Sequence, residues 1–289
     1  MTGVWAARDH RLPESGTPRV REILRALQQV LPDTAASHLT AGLLLGLRMP
    51  RSLRVGIPIH VTRWAPGRAP RLAGVQGHVA QVPPADRWTS GTLRVIGPVR
   101  TVVDLAAMST GPSRYVFGDD WVVALVDGMI NEHRTGIRAG MPPMRSLELV
   151  REDLARMATL RGVARVRMSL ERAQPGVDSA LETHARLALA RHGFTEFVTD
   201  HEIRVPGAGS AYPDLADRRR RISVQVEGPH HDGKDQRVRD ITRLRITEAA
   251  GWKEVRVSGR DIFAQRPGNR PHIVKLVLDA LHQRLDRSA

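Results

Sequence analysis

Residue types and spacing able to support metal-assisted hydrolysis are concentrated in two neighbouring stretches, Tyr212-Pro213-Asp214-Leu215-Ala216 and the run ISVQVEG from Ile222 to Gly228. Side chains alternate between the faces of a strand, so Ile222, Val224 and Val226 should point one way and Ser223, Gln225 and Glu227 the other. If the preceding strand carries Asp214 beside them, Asp214, Gln225 and Glu227 converge on one face of a sheet whose other face is aliphatic. That is an oxygen-rich metal site on a rigid strand pair. The solvated face of an ordinary antiparallel hairpin accounts for the same residues. Upstream, Ser179-x-x-Glu182 reads as a capping box, which gives Glu182 a structural role. Arg218, Arg219, Arg220 and Arg221 form a hairpin tip that suits phosphates and is equally explained as a solvated turn. His230-His231 has no partner at ligand spacing, so a zinc reading of that pair is set aside.

Pro213-Asp214, Gln225-x-Glu227-Gly228, His231, Asp240-x-x-Arg243 and Gly251-Trp252 follow one another in a pattern that resembles the very-short-patch-repair-like domain family of the PD-(D/E)XK nuclease superfamily. The resemblance spans about Ser179 to Phe263, and Ser179, Glu182 and Arg186 fit the family's first helix. The family's second strand normally reads Glu-x-Asp-Gly-x-x-His, so this chain departs with Gln225 for Glu and Glu227 for Asp. The resemblance implies a restriction-endonuclease-like mixed sheet flanked by helices, and a DNA endonuclease dependent on Mg2+ or Mn2+. It makes Asp214 the central metal ligand and Gln225 a neutral amide ligand. Glu227 becomes a second ligand or the group orienting water, and Glu182 a further carboxylate of the site. His231 or Lys234 would move a proton or hold phosphate. The alternative is a non-catalytic DNA-binding or antitoxin-like regulatory protein with a degenerate nuclease fold, which Gln225 favours.

The 289-residue chain carries a net charge of +14, and Lys234, Lys253 and Lys275 are its lysines, so its basic character is arginine. Guanidinium forks match phosphate oxygens, which implies attraction to DNA, with Arg239 and Arg243 joining the four hairpin arginines as candidate contacts. An alanine- and arginine-rich composition is also what a GC-rich genome produces. The absence of cysteine excludes disulfides, thiolate zinc sites and thiol nucleophiles. No stretch reads as a signal peptide or membrane span, so a cytoplasmic protein is expected.

These groups must be positioned by elements that the apolar periodicity outlines. Residues 1–18 read as a loose arm and 19–145 as a smaller α+β domain. Residues 146–175 read as a connecting helix and 176–289 as the C-terminal domain, for an α/β (α+β) class overall. In the N-terminal part, helices are expected over about 20–31 and 34–47, strands over 57–63, 74–82 and 92–96, and a helix over 114–132. Ala36-Ser37-His38-Leu39-Thr40-Ala41 and Arg100-Thr101-Val102-Val103-Asp104-Leu105-Ala106 resemble the abortive-infection type IV antitoxin-like region. That resemblance implies a protein partner for the domain. Its residues are also explained with Thr101 as a helix cap, Asp104 against the dipole and Arg100 at the surface. In the C-terminal part, strands are expected over 197–205, 210–216, 222–228 and 252–257. Helices are expected from 179 to 193, from 235 to 250, burying Val238, Ile241 and Leu244, and from 273 to 285.

Overall fold

The computed structural model describes residues 11–14, 16–53, 58–108, 117–136, 138–228, 234–263 and 269–286. The chain divides into one unit of Met1–Met129 with Met144–Arg172 and another of Ile130–Pro143 with Ala173–Ala289. The helices after residue 146 therefore join the N-terminal unit, where a connecting helix was expected, because Arg165 donates to the carbonyls of Ala106 and Phe117, each at 2.8 Å. The short segment from Ile130 joins the C-terminal unit through its polar contacts with Asp178 and Asp200.

In the first unit the elements run α1 (Gly16–Val30), β1 (Thr34–Ala36), α2 (His38–Leu44), β2 (Ile59–Arg63), β3 (Val75–Val79), β4 (Arg87–Ser90), β5 (Leu93–Ile96), α3 (Pro98–Met108), α4 (Asp119–Met129), α5 (Leu147–Arg156) and α6 (Val163–Leu170). The strands form one sheet in the order β3-β2-β1-β5-β4. Val20, Leu24 and Leu27 of α1 recur at helical spacing and pack against Ile59, Val61, Leu93 and Val95 of the sheet. Four expectations are corrected here. Thr34–Ala36 is a buried central strand between β2 and β5, where a helix was expected, because the ladder outweighs the helix preference of alanine. Arg100 is buried rather than superficial, and its Nε donates to Asp104 Oδ1 at 2.9 Å, while the Thr101 hydroxyl donates to the Ile96 carbonyl instead of capping α3. The connecting helix expected over 146–175 is interrupted between Arg156 and Val163, where Gly162 has a φ of 97°, in the left-handed region. Residues 114–116 of the expected 114–132 helix lie outside the described residues.

The second unit runs α7 (Ala180–Arg191), β6 (Phe197–Val198), β7 (Ile203–Val205), β8 (Gly209–Ala211), β9 (Leu215–Asp217), β10 (Ile222–Glu227), α8 (Lys234–Ala249), β11 (Lys253–Ser258), α9 (Gly259–Ile262) and α10 (His272–Asp286). Its larger sheet has the order β11-β10-β9-β6, and β7 and β8 pair separately. Each of the two expected strands 197–205 and 210–216 is thus split between sheets. Asp200 at φ 54° turns the first, and Pro213, which has no N–H to give a ladder, interrupts the second. β9 and β10 are antiparallel, and β10 and β11 are parallel with α8 as the crossover between them. Ile222 and Val224 face a core completed by Ala185, Leu189, Val255, Ile273 and Val277, with Val226 at its margin, so the aliphatic face of β10 is as the alternation predicts. On α8, Ile241 is exposed and Ile246 buried, so the inward face is turned relative to the expected one, and the side chain of Val238 lies outside the described residues. The chain is an α+β protein of mixed sheets flanked by helices.

Candidate metal centre

Asp214 sits in the bend just before β9, one residue beyond the Leu215↔Val224 pair, so the antiparallel register brings it to Gln225. Its Oδ2 accepts from Gln225 Nε2 at 2.7 Å and from the Val226 backbone N–H at 2.6 Å. Burial nevertheless dominates and pushes its carboxyl up to about 6, against the lowering effects of the Val226 bond, the Arg243 charge and the Gln225 bond.

Glu182 lies near it, in the first turn of α7. Ser179 Oγ accepts from the Glu182 N–H at 3.2 Å, as the capping pattern predicts. Glu182 Oε2 accepts from the Asp178 N–H at 2.7 Å, one residue ahead of the cap itself. Only 6% of Glu182 is exposed, and burial first, then the charge of Asp214, raises its carboxyl to about 8. Glu182 and Asp214 are therefore neighbouring carboxyls, and the Asp214 charge is felt at Glu182.

The pair opens on a cleft of about 260 Å³ that His133, Arg138, Asp178, Asp200 and Tyr212 also line. His133 Nε2 is 3.1 Å from Asp178 Oδ1, and its Nδ1 is 3.5 Å from Asp200 Oδ1. Asp200 also accepts from the Arg134 N–H at 2.6 Å and from the Thr135 hydroxyl at 2.8 Å. Asp178 and Asp200 thus have partners in the 131–138 segment, which leaves Glu182 and Asp214, among the described residues, as the carboxylates of this wall outside an ion pair. Nothing in the sequence separates His133 or Asp200 from ordinary loop residues, because the two meet from more than sixty positions apart.

Gln225 is placed beside Asp214 but not as an oxygen ligand. Its Oε1 accepts from Arg243 Nη1 at 2.6 Å, so its nitrogen faces Asp214. Turning the amide over would set –NH2 against a guanidinium and oxygen against a carboxylate, so the cation on one side and the anion on the other fix its orientation. Arg243 continues to Glu254 Oε2 at 2.8 Å and to Asp240 Oδ1 at 3.4 Å, so the guanidinium expected as a DNA contact is engaged by protein acceptors. Glu227 is the other departure. It is exposed at the end of β10 and pairs with Arg256 at 3.3 Å, away from Asp214. Among the described residues no three acidic groups at this cleft bring their oxygens within 4.8 Å of one another.

His231 lies outside the described residues, as do the side chains of Lys234 and Arg239. At the β9–β10 turn, Arg218, Arg219 and Arg221 are exposed. Arg220 turns inward: its Nη1 donates to Asp217 Oδ2 at 2.6 Å, and Asp217 is fully buried.

Glu182, buried, and Asp214, half-buried, offer carboxylate oxygens on one cleft wall, the donor type a hard divalent cation takes. Gln225 as oriented does not complete such a set. No protein-family model matches the chain, and no characterised protein or solved structure matches it.

Proposed function

We propose that the second unit is a restriction-endonuclease-like domain that hydrolyses DNA phosphodiesters with Mg2+ or Mn2+ held by Glu182 and Asp214. The observation that carries this reading is the meeting of two carboxylates that, among the described residues, stand outside any ion pair, the buried Glu182 and the half-buried Asp214, on the wall of one cleft. The ion would supply polarisation of the phosphoryl oxygen and acidification of water. Asp214 keeps its place through the Val226 N–H and Gln225, and Glu182 through the Asp178 N–H. Arg138, exposed beside Asp178, stands where it can meet a phosphate. The exposed Arg218, Arg219 and Arg221, with a net charge of +14 on the whole chain, supply attraction to the DNA backbone. The first unit is proposed as an antitoxin-like module with a protein partner, in a cytoplasmic protein. Among the described residues no helix is long and apolar enough to cross a membrane.

A second reading, a DNA-binding regulatory protein whose nuclease fold lacks a working site, is favoured by one feature: the Gln225 amide presents nitrogen where the nucleases that the sequence pattern resembles carry a glutamate. The two are separated by incubating supercoiled plasmid with the full chain in Mn2+. Nicking by wild type that disappears in Asp214→Asn and in Glu182→Gln supports the first. Asparagine keeps an oxygen for Val226 and Gln225, so that variant folds. Retarded but intact plasmid in both Mg2+ and Mn2+ selects the second.

A further inference from the structure

His38, His60 and His78 are far apart in sequence and meet in the first unit. His60 lies on β2 and His78 on β3, whose parallel register pairs His60 with Gln76 and Thr62 with His78. Residues paired across strands share a face, as do residues two apart, so the two imidazoles are diagonal neighbours on one side of the sheet. His38 enters from the β1–α2 junction, where the Ser37 N–H donates to the His60 carbonyl at 3.0 Å. The His38 backbone is held at a φ of 47°, a left-handed conformation that a non-glycine residue adopts at a cost and that clusters at functional sites.

His60 Nδ1 and His78 Nε2 approach to 3.1 Å, and each of the three rings offers a nitrogen within 4.8 Å of the others. Two imidazole nitrogens bound to one tetrahedral zinc at about 2.0–2.1 Å stand about 3.4 Å apart, close to this separation. We propose that His38, His60 and His78 form a three-histidine site for zinc or a similar borderline transition-metal ion.

Burial supports it by keeping the rings neutral and their lone pairs available. His38 is lowered to about 2, first by burial and then by the charges of His78, His60 and Arg100, and His60 to about 4 by burial and then His78. Burial also lowers His78. The Arg100 charge is felt at His38 and opposes a cation there, and Asp104, 2.9 Å from Arg100 Nε, offsets part of it. His38 and His78 stack at 3.8 Å between ring centres, so ligation requires one ring to swing, and the Ser37 hydroxyl at 3.0 Å from His38 Nδ1 is at hand to hold it afterwards. Three nitrogen donors suit zinc, cobalt or copper and not magnesium, so this site is chemically distinct from the carboxylate pair of the second unit. Three protein ligands also leave one position for water or another ligand.

The test uses the full chain stripped with EDTA, desalted and titrated with Co2+ and then Zn2+. Visible d–d absorption and retained metal are measured, alongside thermal unfolding with and without Zn2+. In excess Mg2+, which competes at the carboxylate pair but not at imidazoles, wild type should retain one Co2+ or Zn2+ per chain, and its unfolding temperature should rise with Zn2+. His78→Gln and His38→Asn should each lose affinity by at least the about 10–100-fold that outer-shell changes cost. Asparagine is chosen because it tolerates the left-handed backbone. A wild type that retains no stoichiometric ion overturns the proposal, as does equal retention by folded His78→Gln and His38→Asn, which would assign the ion to other histidines.

Discussion

Replacing Glu182 by glutamine should change how stability depends on pH. Glu182 titrates near 8 in the folded chain, against 4.5 ordinarily, because burial and the Asp214 charge disfavour its anion, with Asp178 adding a smaller effect of the same sign. A raised carboxyl means that the folded chain holds a proton the unfolded chain has released. The resulting stability is complete below about pH 4.5 and is lost as pH rises through about 8. Each pH unit in that window costs about 1.4 kcal/mol, so the accumulated loss has a ceiling of about 5 kcal/mol. Glutamine keeps the oxygen that accepts from the Asp178 N–H and carries no charge at any pH. Glu182→Gln should therefore match wild type near pH 4.5 and exceed it by on the order of 2–5 kcal/mol near pH 8. Urea unfolding in EDTA, followed by circular dichroism across this range, measures it. Saturating Mn2+ should flatten the wild-type slope, since a cation offsets the charge. Parallel profiles for the two proteins in EDTA would refute the account of a desolvated Glu182 and weaken the metal reading with it.

The other outcomes concern the groups around it. Arg243→Met removes a partner of Glu254, whose side chain is 2% exposed, and should cost about 3 kcal/mol by denaturant titration, with Arg256 preventing a larger loss. Substituting Arg218, Arg219 and Arg221 together by serine should weaken binding to any DNA sequence and reduce the slope of log K against log salt by about 0.9 for each phosphate no longer neutralised, read by fluorescence anisotropy. An unchanged slope would remove this turn from the interface. Arg220→Ala should instead lower stability, because Asp217 loses the cation that holds it at 2.6 Å. Gly162→Ala should destabilise the first unit by more than about 1 kcal/mol, since its φ is 97° and a Cβ would stand 2.4 Å from the Val103 carbonyl oxygen. Gln225→Glu should lower apo stability at neutral pH and tighten Mn2+ binding in calorimetry. Identical metal affinity in the two forms would show that residue 225 does not reach the ion.

What was legible in the sequence is what local pattern controls. The alternation in ISVQVE gives β10 and its aliphatic face, and Ser179-x-x-Glu182 gives the start of α7. Short strands were not legible, because Thr34–Ala36 is a strand by virtue of its neighbours on either side and alanine has no preference that reveals this. The roles of Arg100 and Arg220 were hidden for the same kind of reason. Arginine reads as surface until a carboxylate such as Asp104 or Asp217 meets it inside. Long-range meetings left no trace at all. His38, His60 and His78 become a cluster only when three strands and a helix junction assemble, and no spacing among them resembles a ligand motif.

The face shared by Gln225 and Arg243 shows why the candidate carboxylate pair is small. A guanidinium placed behind residue 225 needs an acceptor, and Asp214 in front of it needs a donor; glutamine satisfies both at 2.6 and 2.7 Å. A glutamate there would accept from Arg243 equally well but would turn a second anion toward Asp214, which would keep the Val226 N–H as a donor and lose the amide. Such an arrangement is favourable only with a cation in front of it. On the proposed metal reading the glutamine would exchange metal affinity for an apo site that holds its shape, while the Asp214 charge felt at Glu182, which approaches from α7, is what a cation would relieve. The second carboxylate of the pair comes from the helix, not from the strand on which the alternating pattern places it.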